Sequence, residues 1–243
     1  MSNSIMLSKT IFNNFIIPNN ISMKLTFRFF IFIALLISYN AGAQQPAFYE
    51  EIQTFKQQDS INPPPQHAIL FVGSSSFHLW TDVQSYFPNY TIINRGFGGS
   101  SLTDVIRYAN DIIFPYHPKE IVIYCGENDL AASDTVSAQT VFDRFKTLYE
   151  MIRSKLRNEK IVFVSIKPSP SREKLMPKME EANQLIKEFL EREKHTAFVD
   201  VYHLMLTEDY KPMPDIFKED SLHMNAKGYT IWQKAIEPFL KEK

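Results

Sequence analysis

The sequence predicts an α/β protein, a three-layer α/β/α sandwich built on a five-stranded parallel sheet. Three observations carry this prediction. Five short runs of almost unbroken apolar residues recur along the chain. Strands buried on both faces need such runs, whereas half-solvated strands alternate. Stretches with apolar residues three and four apart separate the runs, as crossover helices would. Of the chain's seven glycines, Gly73, Gly96, Gly98, Gly99 and Gly126 all fall just past the first three runs. Glycine belongs where backbone turns sharply or approaches a ligand closely.

Composition agrees with one ordinary core. The chain has 243 residues, a net charge of −1 and 44% hydrophobic residues. There is no basic run and no internal repeat. A balanced charge argues against nucleic acid or an anionic membrane surface as the partner.

Residues 1–43 read as an N-terminal extension with a secretory signal peptide. Lys24 and Arg28 precede the apolar run from Phe29 to Ile37, and Ala41-Gly42-Ala43 supplies a small-x-small cleavage signal. The order basic, apolar, small defines such a signal. The run is shorter than the roughly 20 residues of a membrane span, so no stable span is expected after cleavage. Export to the periplasm or medium, with cleavage near Ala43, is therefore expected. Either Met1 or Met23 can serve as the start. Residues 44–243 are of single-domain size. Cys125 is the only cysteine, so no internal disulfide is available and the core must supply stability. Cys125 reads as buried packing.

The elements follow in order. Phe48, Ile52 and Phe55 mark a short amphipathic helix, stopped by Pro63-Pro64-Pro65. The first strand, residues 68–72, ends in Gly73-Ser74-Ser75-Ser76. Phe77, Trp80, Val83 and Phe87 have the spacing of one following helix. The second strand is read at 90–94, and its helix runs through Leu102, Val105, Ala109 and Ile113. The third strand covers 121–125 and ends in Gly126-Glu127-Asn128-Asp129. Val141, Phe145, Leu148, Ile152 and Leu156 mark the next helix. The fourth strand, 161–166, runs into Lys167-Pro168-Ser169-Pro170. A helix with Met179, Ala182, Ile186 and Phe189 leads to a fifth strand at 197–201. Asp220-Ser221-Leu222-His223 follows, and Asn225 is placed to cap a last helix bearing Tyr229, Trp232 and Ile236. Right-handed crossovers make this a sandwich of flavodoxin-like type.

Ligands in open α/β sheets bind at the carboxyl ends of the strands. Four segments converge there: Gly73-Ser74-Ser75, Gly98-Gly99, Gly126-Glu127-Asn128-Asp129 and Asp220-Ser221-Leu222-His223. A serine hydroxyl needs an adjacent base to act as a nucleophile. A histidine fixed by a carboxylate is such a base. Asp220 stands three residues before His223, close enough in a turn to reach its ring. A tetrahedral oxyanion needs preorganised donors. The alternatives for each part are bland: D-x-x-H can be a surface turn, and Asn-Asp after a strand can be a turn or cap.

The four segments in order, each at its strand end, resemble the SGNH/GDSL hydrolases over residues 68–240. The likeness is to the platelet-activating-factor acetylhydrolase-like branch. That resemblance implies the SGNH hydrolase fold and a serine esterase, which with the expected export points to short acyl esters, acetyl above all, on carbohydrates or other small molecules. It implies Ser75, His223 and Asp220 as nucleophile, base and orienter. Ser75 and Gly99 N–H groups and the Asn128 amide would form the oxyanion hole. Ser74 replaces the usual Asp before the nucleophile, and Asp129 is the structural partner of Asn128.

A lipid-directed acylhydrolase of lysophospholipase or thioesterase type is the alternative within the class. A carbohydrate-binding domain without catalysis, or a flavin-carrying domain, is the alternative outside it. His67, His78, His117, His195 and His203 read as surface or packing residues. No metal spacing is convincing, no cofactor is expected, and Gly96-Phe97-Gly98-Gly99 lacks the spacing of a dinucleotide fingerprint.

Overall fold

The computed structural model describes residues 45–240. The signal-peptide reading lies outside the described residues. From Pro46 onward the chain forms one compact unit.

The sheet contains β1 (Ile69–Gly73), β2 (Ile92–Gly96), β3 (Glu120–Tyr124), β4 (Lys160–Val164) and β5 (Thr196–Val199), all parallel, in the order β2-β1-β3-β4-β5. Alternate residues of each central strand enter different cores. Leu70, Val72, Ile121, Ile123, Ile161 and Phe163 join one cluster. Ile69, Phe71, Val122, Tyr124, Val162 and Val164 join the other. Full burial of such side chains contributes about 1.5–3 kcal/mol each. That two-sided burial is the physical origin of the unbroken apolar runs. The edge strands β2 and β5 are only partly buried.

The first core is covered by α1 (Tyr49–Ile61), α4 (Leu102–Ile112), α6 (Ala138–Lys155) and α7 (Met176–Leu190). The second is covered by α2 (Ser75–His78), α3 (Val83–Tyr86) and α8 (Ala226–Ile236). Its centre is aromatic, with Phe77 packed on Phe71 at 4.9 Å and edge-on to Trp232 at 5.9 Å. Asn225 caps α8, its side chain accepting from the N–H groups of Lys227 and Gly228.

Five expected elements differ, two of them only at their ends: β4 stops at Val164 and β5 at Val199, each two residues before the expected end. The single helix predicted through Phe77 and Phe87 is two one-turn helices. Trp80 N–H bonds to Phe77 C=O, and Val83 N–H to Trp80 C=O. These tight i→i+3 turns keep Phe77, Trp80, Val83 and Phe87 all buried without a continuous helix. The second strand lies two residues later than expected, because Asn94, Arg95 and Gly96 pair with β1. The loop expected after β3 winds at once into a short helix, α5 (Glu127–Ala132), which places Asn128 on its first turn.

Candidate active site

The site begins with the turn after β1. Gly73 has φ +143°, and a Cβ there would meet Tyr124 O at 1.9 Å. Only glycine lets β1 and β3 lie this close while the chain turns. Ser74 N–H donates to Tyr124 C=O at 3.0 Å. Ser74 C=O accepts from Phe77 and His78 N–H, which winds α2 immediately. Ser74 and Ser76 are buried, whereas Ser75 is partly exposed. Of these three hydroxyl-bearing residues, Ser75 faces the sheet edge where the other segments gather. Tyr229 Oη, from α8, donates to Ser76 C=O at 3.0 Å and ties the turn to the second core.

Ser75 Oγ lies 3.1 Å from His223 Nε2, although the two residues are 148 apart in sequence. His223 Nδ1 lies 2.6 Å from Asp220 Oδ2. The other carboxylate oxygen, Oδ1, accepts from Leu222 N–H at 3.0 Å and His223 N–H at 2.9 Å. The Asp220 side chain thus folds its own turn as it meets the ring. Ser221, between them, takes φ +55°, in the left-handed region. The bonds from His223, then from the turn's N–H groups, hold the Asp220 carboxyl far below the usual carboxylate range. An anionic Asp220 takes the Nδ1 hydrogen, which leaves Nε2 as an acceptor toward the Ser75 hydroxyl.

The Gly99 segment is pinned to the same turn. Gly73 C=O accepts from Phe97 N–H at 2.9 Å and from Ser100 Oγ at 3.1 Å. Gly99 itself has φ +78°, with open space where a Cβ would stand. Asn128 reaches the segment from α5, its Nδ2 donating to Ser100 C=O at 3.0 Å. Hydrogen bonds thus join Ser75, His223 and Asp220 directly, and tie Asn128 and the Gly99 segment to the β1 turn through Ser100 and Gly73.

Neighbouring residues have supporting places. Asp129 is fully buried and accepts from Leu102 N–H at 2.9 Å and Arg144 Nη1 at 2.7 Å. Burial pushes its pKa up against those bonds. Cys125 is buried, and desolvation pushes its thiol pKa well up. His78 Nδ1 pairs with Glu51 Oε1 at 3.0 Å, and the same oxygen accepts from Gly98 N–H at 3.2 Å.

Sequence reasoning passed over three charged residues beside the site. Glu127 and Lys167 are buried against each other, with Nζ 3.1 and 3.2 Å from the two carboxylate oxygens. Arg172 Nη1 approaches the same carboxylate at 3.3 Å. In sequence they look like ordinary surface charges. The available signal was the position of Lys167 directly after a buried strand. Among the described residues, no group of three or more His, Cys, Asp or Glu gathers to hold a metal.

The family model of the GDSL-like lipase/acylhydrolase family matches residues 71–231. The chain belongs to that family. A protein of Streptococcus pneumonia named as a platelet activating factor superposes with TM-score 0.69 at 19% identity, covering 92% of this chain and all of that one. A GDSL-like lipase from Bacteroides thetaiotaomicron gives 0.64 at 20% identity over 77% of this chain and 96% of its own. A serine-to-alanine catalytic mutant of an acetylxylan esterase from Geobacillus stearothermophilus gives 0.59 at 14% identity over 74% and 96%. At these identities the likeness concerns the fold. In sequence, an N-acylneuraminate cytidylyltransferase from Escherichia coli is 23% identical over 214 residues, 86% of this chain. The chain spans about half that relative's length, 49%.

Proposed function

We propose that this protein is an exported acetylesterase that removes short acyl groups from carbohydrates by a Ser-His-Asp acyl-enzyme mechanism. The observation that carries the reading is the unbroken chain from Ser75 Oγ through His223 to Asp220. Ser75 Oγ attacks the ester carbonyl carbon while His223 Nε2 takes its proton. The carbonyl oxygen becomes an oxyanion facing Ser75 N–H, Gly99 N–H and the Asn128 amide. Collapse breaks the C–O bond to the alcohol, which leaves with the proton from His223. Water then attacks the acyl-enzyme by the same route and regenerates Ser75.

Two features support a carbohydrate ester. The site is open, with the side chains of Asp220 and His223 47% and 24% exposed, which leaves room for a bulky alcohol half. One fold neighbour is an acetylxylan esterase. Export rests on the basic–apolar–small order of residues 24–43. Among the described residues no helix is long and apolar enough to cross a membrane.

A p-nitrophenyl ester series with acetylated xylan tests the reading. Activity should peak at acetate and extend to the glycan, and a serine-directed organophosphate should label Ser75. A maximum at long acyl chains would replace the carbohydrate substrate with a lipid. Glycan binding without hydrolysis would remove the mechanism. Intact mass from an exporting host should begin at Gln44, and retention of the apolar run would overturn cleavage at Ala43.

A further inference from the structure

Asn128 cannot orient itself. A primary amide carries an oxygen acceptor on one side and a two-hydrogen donor on the other, in nearly the same shape. Turned by 180°, it would aim a lone pair at a forming oxyanion. Two neighbours decide the matter. Ser100 C=O, which only accepts, takes one Nδ2 hydrogen at 3.0 Å. Arg172 Nη2, which only donates, meets Oδ1 at 3.0 Å. The flipped amide would set donor against donor at one end and acceptor against acceptor at the other. In the observed orientation the second Nδ2 hydrogen is left for the oxyanion.

Arg172 is in turn placed by the buried Glu127 carboxylate, 3.3 Å from its Nη1. Glu127 also accepts from Tyr124 Oη at 2.6 Å and from Lys167. Lys167 Nζ continues to Leu222 C=O at 2.9 Å, inside the Asp220–His223 turn. Ser171 N–H holds the adjacent Ser221 C=O at 3.1 Å. One segment, 167–172, therefore grips the acid–base turn at two carbonyls and the Asn128 amide at its oxygen. Buried ion pairs stabilise little compared with apolar residues of the same size, because desolvation offsets attraction. What such a cluster does supply is fixed geometry.

We propose that Arg172 is a positioning residue for ester hydrolysis: it sets the Asn128 amide with its N–H toward the oxyanion, and Glu127 and Lys167 couple that setting to the Asp220–His223 turn. The inference rests on Asn128 being an oxyanion donor.

The test is a double-mutant cycle on the full chain, reading kcat, KM and melting temperature with p-nitrophenyl acetate. Arg172→Met should lower kcat about ten- to a hundred-fold, below the roughly 10²–10³-fold ceiling for loss of the donor itself, with KM unchanged. Arg172→Lys should recover most of that loss, since an ammonium also only donates. In an Asn128→Ala background, Arg172→Met should change kcat by no more than about twofold, the scatter of independent sites. If Arg172→Met does not fold, the same cycle runs with Arg172→Ala. Losses that multiply in the double variant would overturn the inference, as would a wild-type kcat in Arg172→Met. In the latter case, a large loss in Asn128→Ala would leave the oxyanion reading standing. A wild-type kcat in Asn128→Ala would remove both.

Discussion

This chain folds the same local motif twice, and only one copy meets a serine. Asp200-Val201-Tyr202-His203 and Asp220-Ser221-Leu222-His223 are both D-x-x-H turns. In each, one carboxylate oxygen accepts the histidine N–H, at 3.1 Å in the first and 2.9 Å in the second. In each, the other oxygen meets ring Nδ1, at 2.7 and 2.6 Å. These two bonds are shared, although Ser221 takes φ +55° and Asp220 also accepts from Leu222 N–H. The two turns differ in what Nε2 faces. His203 points at Glu180 Oε1, 4.0 Å away on α7, with its side chain 55% exposed. His223 points at Ser75 Oγ, 3.1 Å away. A D-x-x-H turn therefore makes an oriented imidazole by itself. Placing a nucleophile on the far side of the ring takes the whole sheet.

The sharpest way to break this comparison is to remove each ring. His223→Ala should lower kcat by on the order of 10⁴-fold or more, and adding Ser75→Ala should cost little beyond that, because the two act as one unit. His203→Ala should leave kcat for p-nitrophenyl acetate unchanged. Equal losses from the two variants would dissolve the distinction.

The second prediction concerns what holds each turn. Ser165 Oγ accepts from Val201 and Tyr202 N–H, both at 2.9 Å, so the first turn hangs on a neutral hydroxyl. The second hangs on the Lys167 ammonium, whose burial lowers its pKa while Glu127 raises it. Lys167→Met leaves Glu127 buried with one fewer partner, and should cost about 3–5 kcal/mol of unfolding free energy in urea. Adding Glu127→Gln to that variant should restore part of the loss. A single variant as stable as the parent would show that the cluster is not strongly coupled.

The smallest effect is on acid stability. The folded-state pKa of Asp220 lies below its unfolded value of about 3.9. Its contribution is therefore present above that pH and fades as pH falls toward the folded value. Solvent reaches nearly half of this side chain, so the contribution is small. Asp220→Asn should flatten the acid limb of the stability curve below about pH 4. An unchanged limb would mean that the denatured chain keeps the same contact.

The core elements were legible where burial is two-sided. Residues 69–72 of β1, 121–124 of β3 and 161–164 of β4 are unbroken apolar runs because helices cover both faces, and that signal needs no partner to be read. β2 was misplaced by two residues because it is an edge strand. Asn94 and Arg95 belong to its paired stretch, and polar residues there look like a loop. The two one-turn helices after Ser75 were read as one because three- and four-residue spacing survives a chain of tight turns. α5 was missed because Glu127-Asn128-Asp129 has the composition of a turn, yet Glu127 and Asp129 are buried against Lys167 and Arg144.

The sequence alone determined the layers, the glycine that lets β1 approach β3, and the Asp220 turn that orients a ring. All depend on neighbours within a few residues, or on an apolar pattern that any covering layer satisfies. Tertiary structure decided that Ser75 meets His223 rather than His203. It also decided that Glu127, Lys167 and Arg172 lie beside the site rather than in water. Charged side chains carry no local mark of burial. Their cost of desolvation is offset only by partners that arrive from other strand ends, and those partners come together only once the parallel sheet has closed.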